Sequence, residues 1–349
     1  MKRTIVFLPV VLLALSVFGC KFLPLQPKPP EGSALETAGN SDKQITVRYA
    51  QIGTESDWRV ATVNSMKDAA RAEGWELLNQ DASCSQERQF EWLREAIAKG
   101  DDYIVLAPIV KTGWDQVMSE ARDVGIPVIM LETNIDMPDR EDYYATWITL
   151  NFIQEGEKAG RWLTDYMEAE GRGNDEINIV ELQGTVGSSP AIDRQTGFES
   201  IINNYPNYKI TQSQTGDFET ERGKEIMEAF LNEAASNSVK IDVLFAHSDG
   251  MAIGAIQAIK EAGLIPGEDI VIIGIDGSKL AFEAIAAGDM NVTIECSPIF
   301  APIVLDVIKT LEAGEAVPKV IYINPGETAG IYDEYFYHNV ISELPSRAY

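Results

Sequence analysis

Histidine and cysteine are scarce in this chain. Its 349 residues hold two histidines, His247 and His338, far apart in sequence, and three cysteines, Cys20, Cys84 and Cys296, with no C-x-x-C pair. Zinc-finger frameworks therefore have no ligand set, and a disulfide scaffold is excluded. Neither flank of Cys84 or Cys296 suggests a stapled loop, so no bridge is expected between them. Basic residues are also few. Against 54 Asp and Glu stand 28 Lys and Arg, a net charge of −26 that repels nucleic-acid backbones and anionic lipid surfaces. After the N-terminal segment no apolar run approaches the roughly 20 residues of a membrane helix, so no integral membrane domain is expected. What is present is 45 % hydrophobic residues over a length that suits two domains.

The N-terminus reads as an export address. Lys2-Arg3 precede an apolar run from Ile5 to Phe18, then Gly19 and Cys20. The ending Val17-Phe18-Gly19-Cys20 resembles a bacterial lipobox, although Phe18 stands where a small residue is usual. Lipidation of Cys20 is the expectation, with ordinary cleavage or an uncleaved anchor as the other readings. Residues 21–43 are rich in proline, glycine and small polar residues without an apolar period, as in a tether.

From Ile45 onward, β-rich runs alternate with amphipathic helical stretches. Ile45 to Ile52, Trp75 to Asp81, Tyr103 to Pro108 and Ile126 to Leu131 read as strands, with helices over Asp57 to Gly74, Gln86 to Gly100 and Gly113 to Gly125 between them. A second series starts near Trp147. Its strands are Ile177 to Leu182, Lys209 to Gln214, Val243 to Ala246 and Ile270 to Ile275, and a last part adds strands Asn291 to Glu295 and Lys319 to Asn324. Uninterrupted Val, Ile and Leu mark strands buried on both faces. The expected fold is α/β, two similar doubly wound parallel-sheet lobes.

In open parallel sheets ligands bind outside the carboxyl ends of strands. Glu55, Trp58 and Arg59 follow the first strand and combine an aromatic face with polar heads, which suits a sugar. Ser56 or Asp57 as a helix cap is the blander reading there. Glu132 and Thr133 follow the fourth strand. Arg194 lies four residues beyond Pro190, close enough to a helix start to face the same cleft or to pair with Asp193. Ser248 and Asp276 follow two later strands, and a buried Asp276 needs donors that hydroxyls would supply. His247-Ser248-Asp249 lacks a G-x-S-x-G elbow, and adjacent residues rarely converge on one bond, so nucleophilic catalysis is not favoured. The glycine-rich stretch 183–190 lacks the G-K-[ST] ending of a P-loop. Residues 134–142 fail the spacing of a calcium loop, and no metal or cofactor is expected.

Several of these stretches together are recognisable. Q-I-G-T-E-S-D-W-R at Gln51 to Arg59, A-P-I-V-K-T-G-W at Ala107 to Trp114, V-E-L-Q-G-T-V-G-S at Val180 to Ser188 and Q-T-G-D-F at Gln214 to Phe218 carry the resemblance. So do A-I-D-R at Ala191 to Arg194 and the run from Ala252 to Leu264. The chain resembles the type I periplasmic sugar-binding proteins of ABC importers, most closely the galactofuranose-binding branch, over nearly all of Ile45 to Tyr322. The resemblance implies two lobes joined by a three-strand hinge that close on a monosaccharide. The lobes would comprise 44–147 with 296–323, and 148–295 with 324–349. It carries over Glu55, Trp58, Arg59, Arg194 and Asp276, and places Glu295 at the hinge, on the floor of the pocket. Where the branch has Asp-Arg this chain has Glu132-Thr133, and where it has A-H-N-D this chain has Ser248 in place of Asn. The pocket class follows and the sugar stays open.

The implied function is an extracytoplasmic binding lipoprotein, not an enzyme, that hands a monosaccharide to an ABC permease. It is expected to be a monomer held to the membrane only by its lipid. Reporting to a chemoreceptor or sensor kinase is the alternative; glycoside hydrolysis by paired carboxylates is the lesser one.

Overall fold

The computed structural model describes residues 44–323, 334–335, 337–347 and 349. The export segment, Cys20 and the tether lie outside the described residues.

The first sheet gathers β1 (Thr46–Gln51), β2 (Glu76–Asp81), β3 (Tyr103–Leu106), β4 (Val128–Leu131) and β5 (Thr146–Thr149), and takes β11 (Val320–Tyr322) from much later in the chain. Its order is β11-β5-β4-β3-β1-β2 and every pairing is parallel. Between these strands run α1 (Asp57–Glu73), α2 (Gln86–Lys99) and α3 (Asp115–Val124), with α9 (Ala301–Glu312) against α1. The second sheet holds β6 (Ile177–Gln183), β7 (Tyr208–Thr215), β8 (Val243–Ala246), β9 (Val271–Asp276) and β10 (Val292–Glu295) in the order β10-β9-β8-β6-β7, edged by β12 (Glu334–Tyr335). The two-residue β12 is antiparallel to β10. Around it stand α4 (Phe152–Ala169), α5 (Ser189–Ile202), α6 (Thr220–Asn237), α7 (Asp249–Glu261), α8 (Lys279–Ala287) and α10 (Tyr337–Glu343).

Strands β3, β4 and β8 are wholly apolar because both faces are covered. In β3, Tyr103 and Val105 point to one face and Ile104 and Leu106 to the other, so alternate residues feed two separate cores. In β8, Val243 and Phe245 part from Leu244 and Ala246 in the same way. Edge strand β7 instead alternates half-buried and exposed positions after the buried Tyr208.

At the carboxyl ends a serine repeatedly turns strand into helix. Ser56, Ser188, Ser248 and Ser278 each accept a hydrogen bond from a backbone N–H in the first turn of α1, α5, α7 and α8. The polar residues flanking these caps therefore gather along the facing edges of the two sheets.

The chain passes between sheets after Thr149, after Glu295 and between β11 and β12. The boundary expected between 147 and 148 thus falls inside β5. Thr146 Oγ1 donates to the Pro318 carbonyl at 2.7 Å and Thr149 Oγ1 to that of Glu132 at 3.0 Å, which ties all of β5 to the first sheet. The lobes touch: Lys111 N donates to the Gly187 carbonyl at 3.1 Å and Asn134 N to Ser189 Oγ at 3.2 Å. In the second lobe α4 and α5 pack at backbone contact. A Cβ on Gly197 would stand 1.9 Å from the Ile153 carbonyl oxygen, and one on Gly156 2.1 Å from that of Arg194.

Candidate functional site

A cavity lies between the lobes, with Glu55, Trp58, Arg59, Glu132, Arg194 and Asp276 in its wall. Ser248 completes the expected residues that line it, and Phe152, Pro190 and Phe218 add apolar surface that sequence reasoning missed.

Arg59 is 6 % exposed and clamped between two carboxylates. Its Nε donates to Glu55 Oε1 at 3.2 Å, its Nη1 to Glu132 Oε1, and its Nη2 to Glu132 Oε2 at 3.0 Å. Burial opposes the guanidinium charge, but Glu132 and Glu55 together raise its proton affinity, so the cation is locked in. Glu132 adopts a left-handed backbone at φ 60°, unusual for a residue with a side chain. Trp147 Nε1 and Thr149 Oγ1 both donate to its carbonyl, at 2.8 and 3.0 Å, and hold that conformation. The other oxygen of Glu55, Oε2, is buried with no donor among the described residues.

Arg194 is the counterpart in the second lobe. It pairs not with Asp193 but with Glu155, Nε to Oε2 at 2.8 Å; its Nη1 donates to the His247 carbonyl at 2.5 Å and its Nη2 to Cys296 Sγ at 3.2 Å. Asp276 Oδ1 stands 4.0 Å from the same nitrogen. Glu155 is fully buried, and burial raises its pKa even though Arg194 pulls it down. It sits one helical turn from Phe152 and Ala159 on the inner stripe of α4, a spacing that marks it as inward-facing.

Asp276 closes β9 at φ 138°, a strained conformation for a non-glycine residue. The backbone N–H of Asp249 donates to its Oδ2 at 3.3 Å. Behind it, Asp249 accepts from Thr293 Oγ1 and from Ser278 N, both at 2.7 Å, while Gly277 N donates to Thr293 at 3.0 Å, and this network holds the turn. Burial, then the charge of Asp249, pushes the Asp276 pKa well up; burial pushes Asp249 up to about 7.

Trp58 turns its ring edge to Phe300, centroids 5.9 Å apart, and donates Nε1 to the Cys296 carbonyl at 2.6 Å. Ser56 caps α1, as the blander reading had it, and also lines the cavity. Thr133 is buried but is not part of the cavity wall. Glu295 is a correction. Its carboxylate does not floor the cavity, because Arg347 Nη2 donates to Oε2 at 2.6 Å and the Tyr349 hydroxyl to Oε1 at 2.5 Å. Those partners lie some fifty residues on, and nothing local in the sequence marks them. The His247 ring is committed to Glu181, Nε2 to Oε1 at 3.1 Å, rather than to Ser248 or Asp249, and burial lowers its pKa. Cys84 is exposed and Cys296 buried, both as free thiols. Among the described residues no His, Cys, Asp and Glu group could hold a metal ion.

A family model described as the periplasmic binding protein domain matches residues 49–299. The chain is 43 % identical over 275 residues to the galactofuranose-binding protein YtfQ of Escherichia coli, spanning 79 % of this chain and 84 % of that one. Among solved structures it superposes on the periplasmic component of the arabinose ABC transporter from Shewanella sp. ANA-3, bound to α- and β-L-arabinofuranose. The TM-score is 0.79 at 41 % identity, covering 86 % of this chain and 95 % of that one. A Mycobacterium smegmatis protein in complex with β-D-fucofuranose gives 0.80 at 40 % identity, covering 86 % and 94 %.

Proposed function

The chain belongs to the periplasmic binding protein domain family, and from that premise we propose that it is an exported lipoprotein, anchored through Cys20, that captures a furanose monosaccharide and delivers it to an ABC permease. Sugar binding of the ribose and galactofuranose type is what its relatives share. The observation that carries the reading is the convergence of Glu55, Arg59, Glu132, Arg194 and Asp276, from both lobes, on one cavity. Glu55 Oε2 and the poorly satisfied Asp276 ask for donors, which hydroxyls provide. Arg59 commits three of its five N–H groups to carboxylates, which leaves two for a ring or hydroxyl oxygen.

Neither lobe holds the whole set. A sugar that touches both is bound more tightly in the closed form, so it shifts the hinge equilibrium, and the closed shape is what the permease reads. The lobes comprise 44–149 with 296–323, and 150–295 with 334–335 and 337–347. The lipid at Cys20 raises the local concentration at the permease. No bond of the sugar is made or broken. Calorimetry with L-arabinose, D-galactose, D-fucose and D-ribose tests this: at least one binds stoichiometrically and is recovered unchanged. Absence of binding by all sugars, or turnover of a glycoside, overturns it.

A further inference from the structure

A second chamber adjoins the first and shares Glu55, Ser56, Trp58 and Asp276 with it. Its own walls are Thr54 before α1, Thr220 at the start of α6, Gly250 in α7, and Ser278 and Leu280 at the start of α8. We propose that this chamber is a second subsite, so that the protein takes a furanose carrying a glycosidic substituent, a disaccharide above all, and not only the free monosaccharide. The inference rests on the sugar-binding reading above.

Three observations carry it. The first is the layout of the cleft. At the ends of β3 and β4 the lobes are latched by Lys111 to Gly187 and Asn134 to Ser189, whereas between the start of α1 and the starts of α6, α7 and α8 they leave the chamber. The second is Glu55, whose side chain is only 9 % exposed and stands in the wall common to both chambers. Arg59 holds its Oε1, and its buried Oε2 has no donor among the described residues. An acceptor left in that state costs about 1–3 kcal/mol, which a small turn of the carboxylate toward a ligand hydroxyl in the chambers would offset.

The third is the chemistry of the walls. Thr54, Thr220 and Ser278 bring hydroxyls, and Leu280 brings an apolar surface that is 45 % exposed, suited to the C–H face of a second ring. The ionisable groups in the walls are Glu55, Asp57 and Asp276, with no lysine or arginine among the described lining. A neutral hydroxylated ring fits; a phosphate or a uronate does not.

The test is calorimetry on the purified protein with L-arabinose, methyl α-L-arabinofuranoside and α-1,5-L-arabinobiose, and with D-galactose and methyl β-D-galactofuranoside. The expected result is that a furanoside or the disaccharide binds at least about tenfold more tightly than its free monosaccharide. Leu280→Trp, which fills the chamber, removes that gain and leaves monosaccharide affinity within about twofold. Thr54→Trp fills it from an exposed loop on the opposite wall and gives the same split even where Leu280→Trp disturbs α8. Monosaccharide binding with the furanosides and the disaccharide excluded overturns the subsite alone. Failure of every sugar overturns the sugar-binding reading and the subsite with it.

Discussion

Arg194→Ala separates the two tasks of the second-lobe arginine. The guanidinium is 3 % exposed and is the ion-pair partner of Glu155, which is 0 % exposed. Removing one member of a buried pair leaves the other charge uncompensated, at a cost of about 3–5 kcal/mol. At roughly 2–4 °C of melting temperature per kcal/mol, the variant melts on the order of 6–20 °C below the parent at pH 8. The deficit shrinks in acid. Burial already holds the Glu155 pKa up, and without Arg194 it climbs further. A carboxyl whose folded pKa exceeds its unfolded value contributes stability that is present below the unfolded pKa and lost as pH rises through the folded one, so the variant approaches the parent near pH 5. Thermal melts across pH 5–8 read this directly. Arg194→Ala combined with Glu155→Gln recovers part of the loss, with a coupling of about 1–3 kcal/mol. A variant melting within 2 °C of the parent at pH 8, or strictly additive losses, refutes the pairing as the source of stability.

Gly197→Ala drives a methyl into the Ile153 carbonyl and forces α4 from α5. Overpacking of this kind costs about 1–3 kcal/mol or more, and because Glu155 and Arg194 sit on those two helices, sugar affinity falls as well; unchanged melting and affinity rule the argument out. The raised pKa of Asp276 sets a pH dependence of binding. Hydroxyls donate to its ionised form, so affinity weakens as pH falls through the Asp276 pKa of the free protein, by up to about tenfold per unit, with Arg194, Glu155 and Asp249 as the charges that face it. Calorimetry at pH 8, 7, 6 and 5 checks this, and a flat profile refutes it.

The alternation of strand and helix was legible because β3, β4 and β8 are unbroken apolar runs between amphipathic helices, and burial on both faces leaves no other reading. Strand β5 was not, since its threonines spend their hydroxyls on Pro318 and Glu132, groups distant in sequence. The same division holds at the site. Glu55, Glu132 and Asp276 stand beside strand ends, where parallel sheets place ligands, Arg194 lies in the helix that follows one, and all reach the cavity. Glu295 also ends a strand, yet its carboxylate is taken by Arg347 and Tyr349. Position along the chain thus identifies candidates, while the partners that claim or free each carboxylate are set by tertiary contacts.

The balance of charge in the cleft bears on what those candidates select. Arg59 lies between Glu55 and Glu132, and Arg194 between Glu155 and Asp276, so each cation is already matched by two carboxyls. An anionic ligand finds no free cation there, and at 4 Å from an ionised carboxylate it meets a repulsion of about 4 kcal/mol in an effective dielectric of about 20. A neutral polyol meets the reverse situation, because its hydroxyls donate to Glu55 and Asp276 and accept from the arginine N–H groups left over. Selection among sugars therefore rests on where hydroxyls point, and the replacement of Asp-Arg by Glu132-Thr133 acts through that geometry: Glu132 engages Arg59 with both oxygens, and Thr133 leaves the cavity wall to its neighbours.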